Sequence, residues 1–287
     1  MILPMFTIER SKLFKQNIFW LALAALCVFI IAIYGIIFVV QAAPLPDMPA
    51  DANYQLTSFL TWPEALINAA GFASGNGLGG LLIIALTSVV VAREYTQKTY
   101  QVWLGNGVPR WSLLLAKFAV LALATLLIVL VPVLIGFLIS GIITFILQGT
   151  LPLDMIHYGQ LAMSILRTAF TLLPYVSLAI LLSVLSRSIV VSMGAGLAYA
   201  LLIEGIFSQL IGLLGGLPAK LIRFAPNMLA ASITNLNSAI SREALPVKPG
   251  VALDLLQPGT AVFFIAFYTL IMLGLALIIF KHQDINI

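Results

Sequence analysis

The chain has 287 residues, 62% of them hydrophobic and 8% charged, whereas a water-soluble domain runs near half apolar and a quarter charged. That balance excludes an ordinary soluble enzyme domain and makes the bilayer, at about 20 apolar residues per helical crossing, the measure of the length. The net charge of +4 is carried by 14 Lys and Arg scattered through short segments, with no basic run suited to nucleic acid, and the single cysteine, Cys27, excludes an intrachain disulfide.

Residues 1 to 17 set Leu3, Phe6, Leu13 and Phe14 among Arg10, Lys12 and Lys15, a pattern that predicts an interfacial helix. A charge-free interval from 16 to 46 follows, and its apolar part, 18–40, is too long for the core of a signal peptide and predicts the first span. Pro44, Pro46, Pro49 and Pro63 mark the loop beyond it. The interval without charge from 65 to 92 predicts a second span over 70–92. Gly71, Gly75 and Gly79 then fall four apart on one helical face, where they would let a neighbouring helix come close. Gly75-Asn76-Gly77-Leu78-Gly79-Gly80 also has dinucleotide-fingerprint spacing, but no strand precedes it, so a cofactor site is not expected.

Residues 93–117, REYTQKTYQVWLGNGVPRWSLLLAK, form a basic amphipathic connector, broken by Asn106-Gly107 and Pro109. The third span is predicted over 118–140, inside a charge-free interval that runs to 153 and has room for a helix longer than the membrane is thick. The fourth and fifth, 162–184 and 189–211, meet at the polar Ser183-to-Ser188 stretch. Arg167 and Glu204 lie within these two spans at matching depths. An ion pair, a polar lining to a substrate path, and snorkelling to the headgroups are all compatible with that position. The segment 212–258 is punctuated by Gly215-Gly216, Pro226, Pro246, Pro249 and Pro258 and predicts short helices folded back on the bundle, before a last span at 259–280.

The fold class is therefore an all-α membrane protein, a single transmembrane domain built as a six-helix bundle. With both termini cytoplasmic, nine Lys and Arg lie inside and five outside, the orientation that basic residues near span ends favour. No Lys follows a Gly, so the phosphate-binding G-x-x-x-x-G-K-[ST] is absent and no nucleotide is expected to bind in that manner. His157 and His282 fall on opposite sides, and neither a metal site nor a catalytic cluster is expected.

Glu94-Tyr95, Thr99, Leu104, Pro109-Arg110 and Lys117, placed between the second and third spans, resemble the connector of ABC-2 type transporter permeases. The overall layout is similar as well. Lys98 departs from the pattern, since many members carry Gly before the Thr. The resemblance implies a permease subunit of an ATP-driven exporter in a bacterial plasma (inner) membrane. It implies a dimer with a second, identical or different, permease through the first and fifth spans, and an outer segment that caps the pathway. ATP would be used by a separate ABC ATPase subunit, contacted by Arg93, Glu94, Tyr95, Thr99, Arg110 and Lys117, and no cofactor would be bound by this chain. The alternative is a non-transporting membrane scaffold that binds a cytoplasmic partner.

Overall fold

The computed structural model describes residues 2–43, 49–208, 210–211, 216–242 and 255–283. Pro44, Pro46, Gly215, Pro246 and Pro249, invoked above as breakers, lie outside them. Thirteen α-helices are named here in chain order. On the side that carries both chain ends, the terminal face, α1 (Ile2–Lys15) turns into α2 (Asn17–Ala42) through Gln16, whose carbonyl accepts the Phe19 amide. On the opposite, distal face lie α3 (Ala50–Leu60) and α4 (Glu64–Phe72), and α5 (Leu78–Thr96) returns. The connector helix α6 (Thr99–Gly105) leads into α7 (Arg110–Gln148); α8 (Tyr158–Thr171) and α9 (Leu173–Ser186) return as one broken span. Then come α10 (Ile189–Ala198), which continues as π-helix over Tyr199–Phe207, α11 (Gly216–Ile222), α12 (Pro226–Thr234) with a 3-10 turn at Asn235–Ile240, and α13 (Pro258–His282).

Among the described residues six helices are long and apolar enough to cross a bilayer: Asn17–Ala42, Leu78–Thr96, Arg110–Gln148, Tyr158–Ser186, Ile189–Phe207 and Pro258–His282. The second starts at Leu78 where the sequence predicts 70. Ser74 bonds to the Gly71 carbonyl (2.6 Å) and to Asn76 Oδ1 (2.5 Å), and this turn, with Gly77, interrupts the helix. The apolar residues ahead of it form the separate helix α4, which is sunk into the bundle: Tyr34 of α2 donates to the Ala65 carbonyl at 2.5 Å, and Ala65, Leu66, Ala69 and Ala70 are buried. The spacing of Gly71, Gly75 and Gly79 is thereby corrected as a helix-face motif, because they sit in the last turn of α4, the connecting turn and the first turn of α5. Only Gly75 faces another span at close range: an added Cβ would lie 2.5 Å from the Thr171 carbonyl oxygen and 2.8 Å from the Tyr175 ring. At Gly79 the Cβ would strike the Ala73 carbonyl, and at Gly71 it would meet open space.

The 39 residues of α7 extend about 58 Å at 1.5 Å per residue, roughly twice the hydrocarbon thickness of a bilayer. Pro109, in extended conformation as its N-cap, starts this helix eight residues before the expected span, so Arg110 and Lys117 belong to its first turns. The turn between α9 and α10 falls inside the predicted Ser183-to-Ser188 stretch, with Arg187 in left-handed conformation (φ 54°). The main core joins α1, α2, α5, α7, α9 and α13 through residues such as Phe19, Leu26, Ile83, Leu121, Val176 and Phe280. On the distal face α12 and its 3-10 turn are bound to α8: the His157 amide donates to the Ile240 carbonyl (2.8 Å), and Ile156 bridges Ser241.

Candidate functional site: the connector and its ionic mount

An α-helix of seven residues is too short to hold itself in water, so α6 depends on what it rests upon. Tyr100 is buried beneath it, its ring edge-on to Tyr95 of α5 (4.7 Å) and Phe280 of α13 (5.2 Å). Trp103 receives the ammonium group of Lys12 at 5.1 Å from its ring centroid, and Tyr100 that of Lys117 at 5.8 Å. Lys98, the residue before α6, adopts the left-handed conformation at φ 54°. Glycine takes that conformation without steric cost, which gives a physical reason for Gly at this point in the resembled pattern.

Under α6 four charges meet. Lys12 of α1 lies 3.1 Å from Glu9 Oε1 and 3.0 Å from Glu94 Oε1; Lys117 of α7 lies 2.7 Å from Glu9 Oε2 and 2.8 Å from Glu94 Oε1. Lys117 is 1% exposed, Glu9 4% and Glu94 7%. Burial by itself would raise the Glu9 carboxyl, but Lys117 and Lys12 outweigh it and hold the group below its ordinary range. Burial likewise works against the charge on Lys12, and the carboxylates of Glu94 and Glu9 raise it above its ordinary value. The quartet is neutral as a whole and joins α1, the end of α5 and the start of α7 in one knot.

The last span is tied to the same place. Arg110 Nη1 donates to the carbonyls of Phe280 (2.9 Å), Lys281 (3.1 Å) and Gln283 (2.5 Å), capping orphan acceptors at the end of α13. Gln283 accepts from the Tyr95 hydroxyl (3.1 Å) and donates to the Val184 carbonyl of α9 (2.6 Å). A force on α6 is therefore delivered to α1, α5, α7 and α13 together, and through Gln283 to α9.

Of the six connector residues named from the sequence, Arg93 is exposed and Thr99 begins α6 half-buried. Glu94 and Lys117 are interior members of the quartet, Tyr95 bonds Gln283, and Arg110 caps α13. The outward surface consists of Arg93, Thr96, Gln97, Lys98, Val102, Gly105, Asn106, Gly107 and Trp111, with Val102 63% and Trp111 51% exposed. Glu9, Lys12, Tyr100, Trp103 and Gln283 were missed by sequence reasoning. One signal for Glu9 was available: Met5, Glu9 and Leu13 recur every four residues, which puts an acid on the apolar stripe of a basic helix, and all three are buried.

Arg167 and Glu204 do not pair. Arg167 donates to the Leu236 carbonyl (2.9 Å) and to Gln160 Oε1 (2.5 Å), clasping the 3-10 turn to α8. Glu204 is 3% exposed, accepts from the Tyr175 hydroxyl at 2.6 Å, and sits in the π-helical stretch, whose widened turn gives its carbonyl to Asn227 Nδ2 (2.7 Å) and the Ser208 hydroxyl. Among the described residues no group of three or more His, Cys, Asp or Glu is arranged to hold a metal ion.

Six spans among the described residues, with a buried ionic cluster and a short connector helix at their terminal face, define a multi-pass membrane protein. The chain belongs to the ABC-2 transporter family: the model for "ABC-2 family transporter protein" matches residues 4–285. It is thus a permease component of an ABC transporter. No curated protein matches it.

Proposed function

We propose that this chain is the permease subunit of an ATP-driven exporter in a bacterial plasma membrane, with its terminal face in the cytoplasm, working as a dimer with a second permease and driven through α6 by a separate ABC ATPase subunit. The carrying observation is the mount: the Lys12–Glu9–Lys117–Glu94 quartet and the Arg110 cap draw the ends of several spans together, and α6 rests on them through Trp103 over Lys12 and Tyr100 over Lys117. A rigid element of this kind converts a displacement at a nucleotide-bound partner into tilting of the helices it joins, provided the partner favours one of the two arrangements. The sequence offers no phosphate-binding loop of its own, which accords with an energy source on another chain.

Contact with the ATPase is assigned to the outward residues Arg93 and Val102 and the half-buried Thr99, with Glu94, Tyr95, Arg110 and Lys117 acting behind them as the mount. The dimer contact is assigned to α2 and α10. Both helices are largely exposed within the chain, as α13 is too, which leaves faces such as Leu21, Val28 and Val190 for a partner or lipid. Helix packing between such faces needs no catalytic group, and the chain is proposed to act without chemistry of its own.

The test uses Val102→Cys, with the buried native Cys27 left in place. A membrane-impermeant maleimide should label Val102→Cys in inverted vesicles and spare it in intact cells. Co-expressed with the ATPase subunit, the variant should be protected from label and form a cross-link to it. Labelling from outside intact cells would overturn the orientation and the docking assignment together.

A further inference from the structure

On the distal face a cavity of about 850 Å³ opens between α3, α4, the turn before α5, and the α12 cap with its 3-10 turn. Its size is that of a small-molecule site. Phe59, Glu64, Asn68, Phe72, Asn76 and Asn237 are among its walls, and among the described residues that line it none carries a positive charge. Two of these side chains are deeply buried and leave an oxygen without a hydrogen-bond partner. Glu64, 7% exposed, leaves Oε2; Asn237, 1% exposed, gives its Nδ2 to Thr168 and leaves Oδ1. A buried carboxylate without a cation is costly unless a bound group supplies one; both residues line this cavity, and no cation stands among its described lining residues.

We infer that this cavity is a binding site for an ammonium-bearing amphiphile, with Glu64 as the counter-ion, Asn237 as a second acceptor, and Phe59 and Phe72 as the apolar and cation–π walls. A positive charge is what the described lining lacks, and a protonated amine supplies it together with N–H donors. The Phe59 and Phe72 rings, 6.3 Å apart, suit a cation carried on hydrocarbon. A bare metal ion is the poorer match, since Glu64 is the only acidic residue among the described lining residues and hard cations take six or more oxygen ligands. In a transport cycle the cavity would hold the amphiphile at the distal end of the path; that role rests on the permease reading, whereas binding itself does not.

The experiment measures binding to the full chain in lipid nanodiscs without nucleotide or ATPase, using dansylcadaverine as the ammonium probe and its N-acetyl derivative as the neutral control. Wild type should bind the ammonium form at least about tenfold more tightly than the neutral one, and Glu64→Gln should lose about that factor for the ammonium form alone. Equal affinity of both probes, or undiminished binding by folded Glu64→Gln, overturns the assignment. If Glu64→Gln does not fold, Asn237→Ala serves, with an expected loss of a few-fold for the ammonium form, and an unchanged affinity is then the overturning result. Displacement of the probe by submillimolar calcium in wild type would make the site a metal site and overturn the amine. Binding as expected but no ATP-driven movement of the probe in vesicles with the ATPase would count against the permease reading while leaving the site intact.

Discussion

Replacing Lys117 with Met tests the ionic mount at its most buried member. The ammonium group lies 2.7 Å from Glu9 and 2.8 Å from Glu94 and is 1% exposed, so Met fills a similar volume but leaves two carboxylates sharing only Lys12, which is itself 31% exposed. Removing one partner from a buried ion pair costs about 3–5 kcal/mol, because the stranded charge keeps its desolvation penalty without its attraction. For a chain of this length that corresponds to a fall on the order of 10 °C in the unfolding midpoint. The purified permease in one detergent would be followed by tryptophan fluorescence on heating. The same physics predicts rescue: in Lys117→Met with Glu9→Gln and Glu94→Gln no carboxylate of the quartet remains, and about half or more of the lost stability should return. A wild-type midpoint for Lys117→Met, or a triple variant no better than the single one, would refute the claim that these charges hold the helices together.

The pH dependence has a definite sign. Glu9, held below its reference value of 4.5, contributes stability that is present above 4.5 and lost as pH falls through its lower folded value. Lys12, raised above 10.5, contributes stability that is present below 10.5 and lost as pH rises through its higher folded value. Midpoints measured across pH should thus lose the Glu9 contribution on the acid side and the Lys12 contribution on the alkaline side, with the acid limb shallower in Glu9→Gln. Arg110→Ala removes three part-buried or exposed bonds to the end of α13; a hydrogen bond from a charged donor is worth up to about 1.5–3 kcal/mol, so amide exchange at the last turn of α13 should accelerate while the middle of that helix stays protected. Gly75→Ala places a methyl group 2.5 Å from the Thr171 carbonyl and should destabilise by about 1–3 kcal/mol, whereas Gly71→Ala, which meets open space, should leave the midpoint unchanged.

Leu-, Ile- and Val-rich stretches without charge are legible as spans because the cost of an unpaired charge among lipid tails acts on each segment separately, wherever the rest of the chain lies. Six spans, the connector after the second, the turn near Arg187 and the class of protein were accessible in this way. The separate helix α4 was not, since an apolar run with a polar break at Ser74–Gly77 can be read equally as one helix or two. Its depth depends on the hydroxyl of Tyr34, some thirty residues away.

Sequence alone therefore determined what must leave water, because that follows from local composition, and it carried the residues by which one loop resembles the family's connector. Only the tertiary structure decided which connector residues face outward and which are interior. Glu94 and Lys117 look like exposed loop charges until α1 brings Glu9 and Lys12 against them, and Arg110 until the end of α13 arrives. An ion pair between residues 82 or 108 positions apart is set by helix packing in three dimensions, which no local rule encodes.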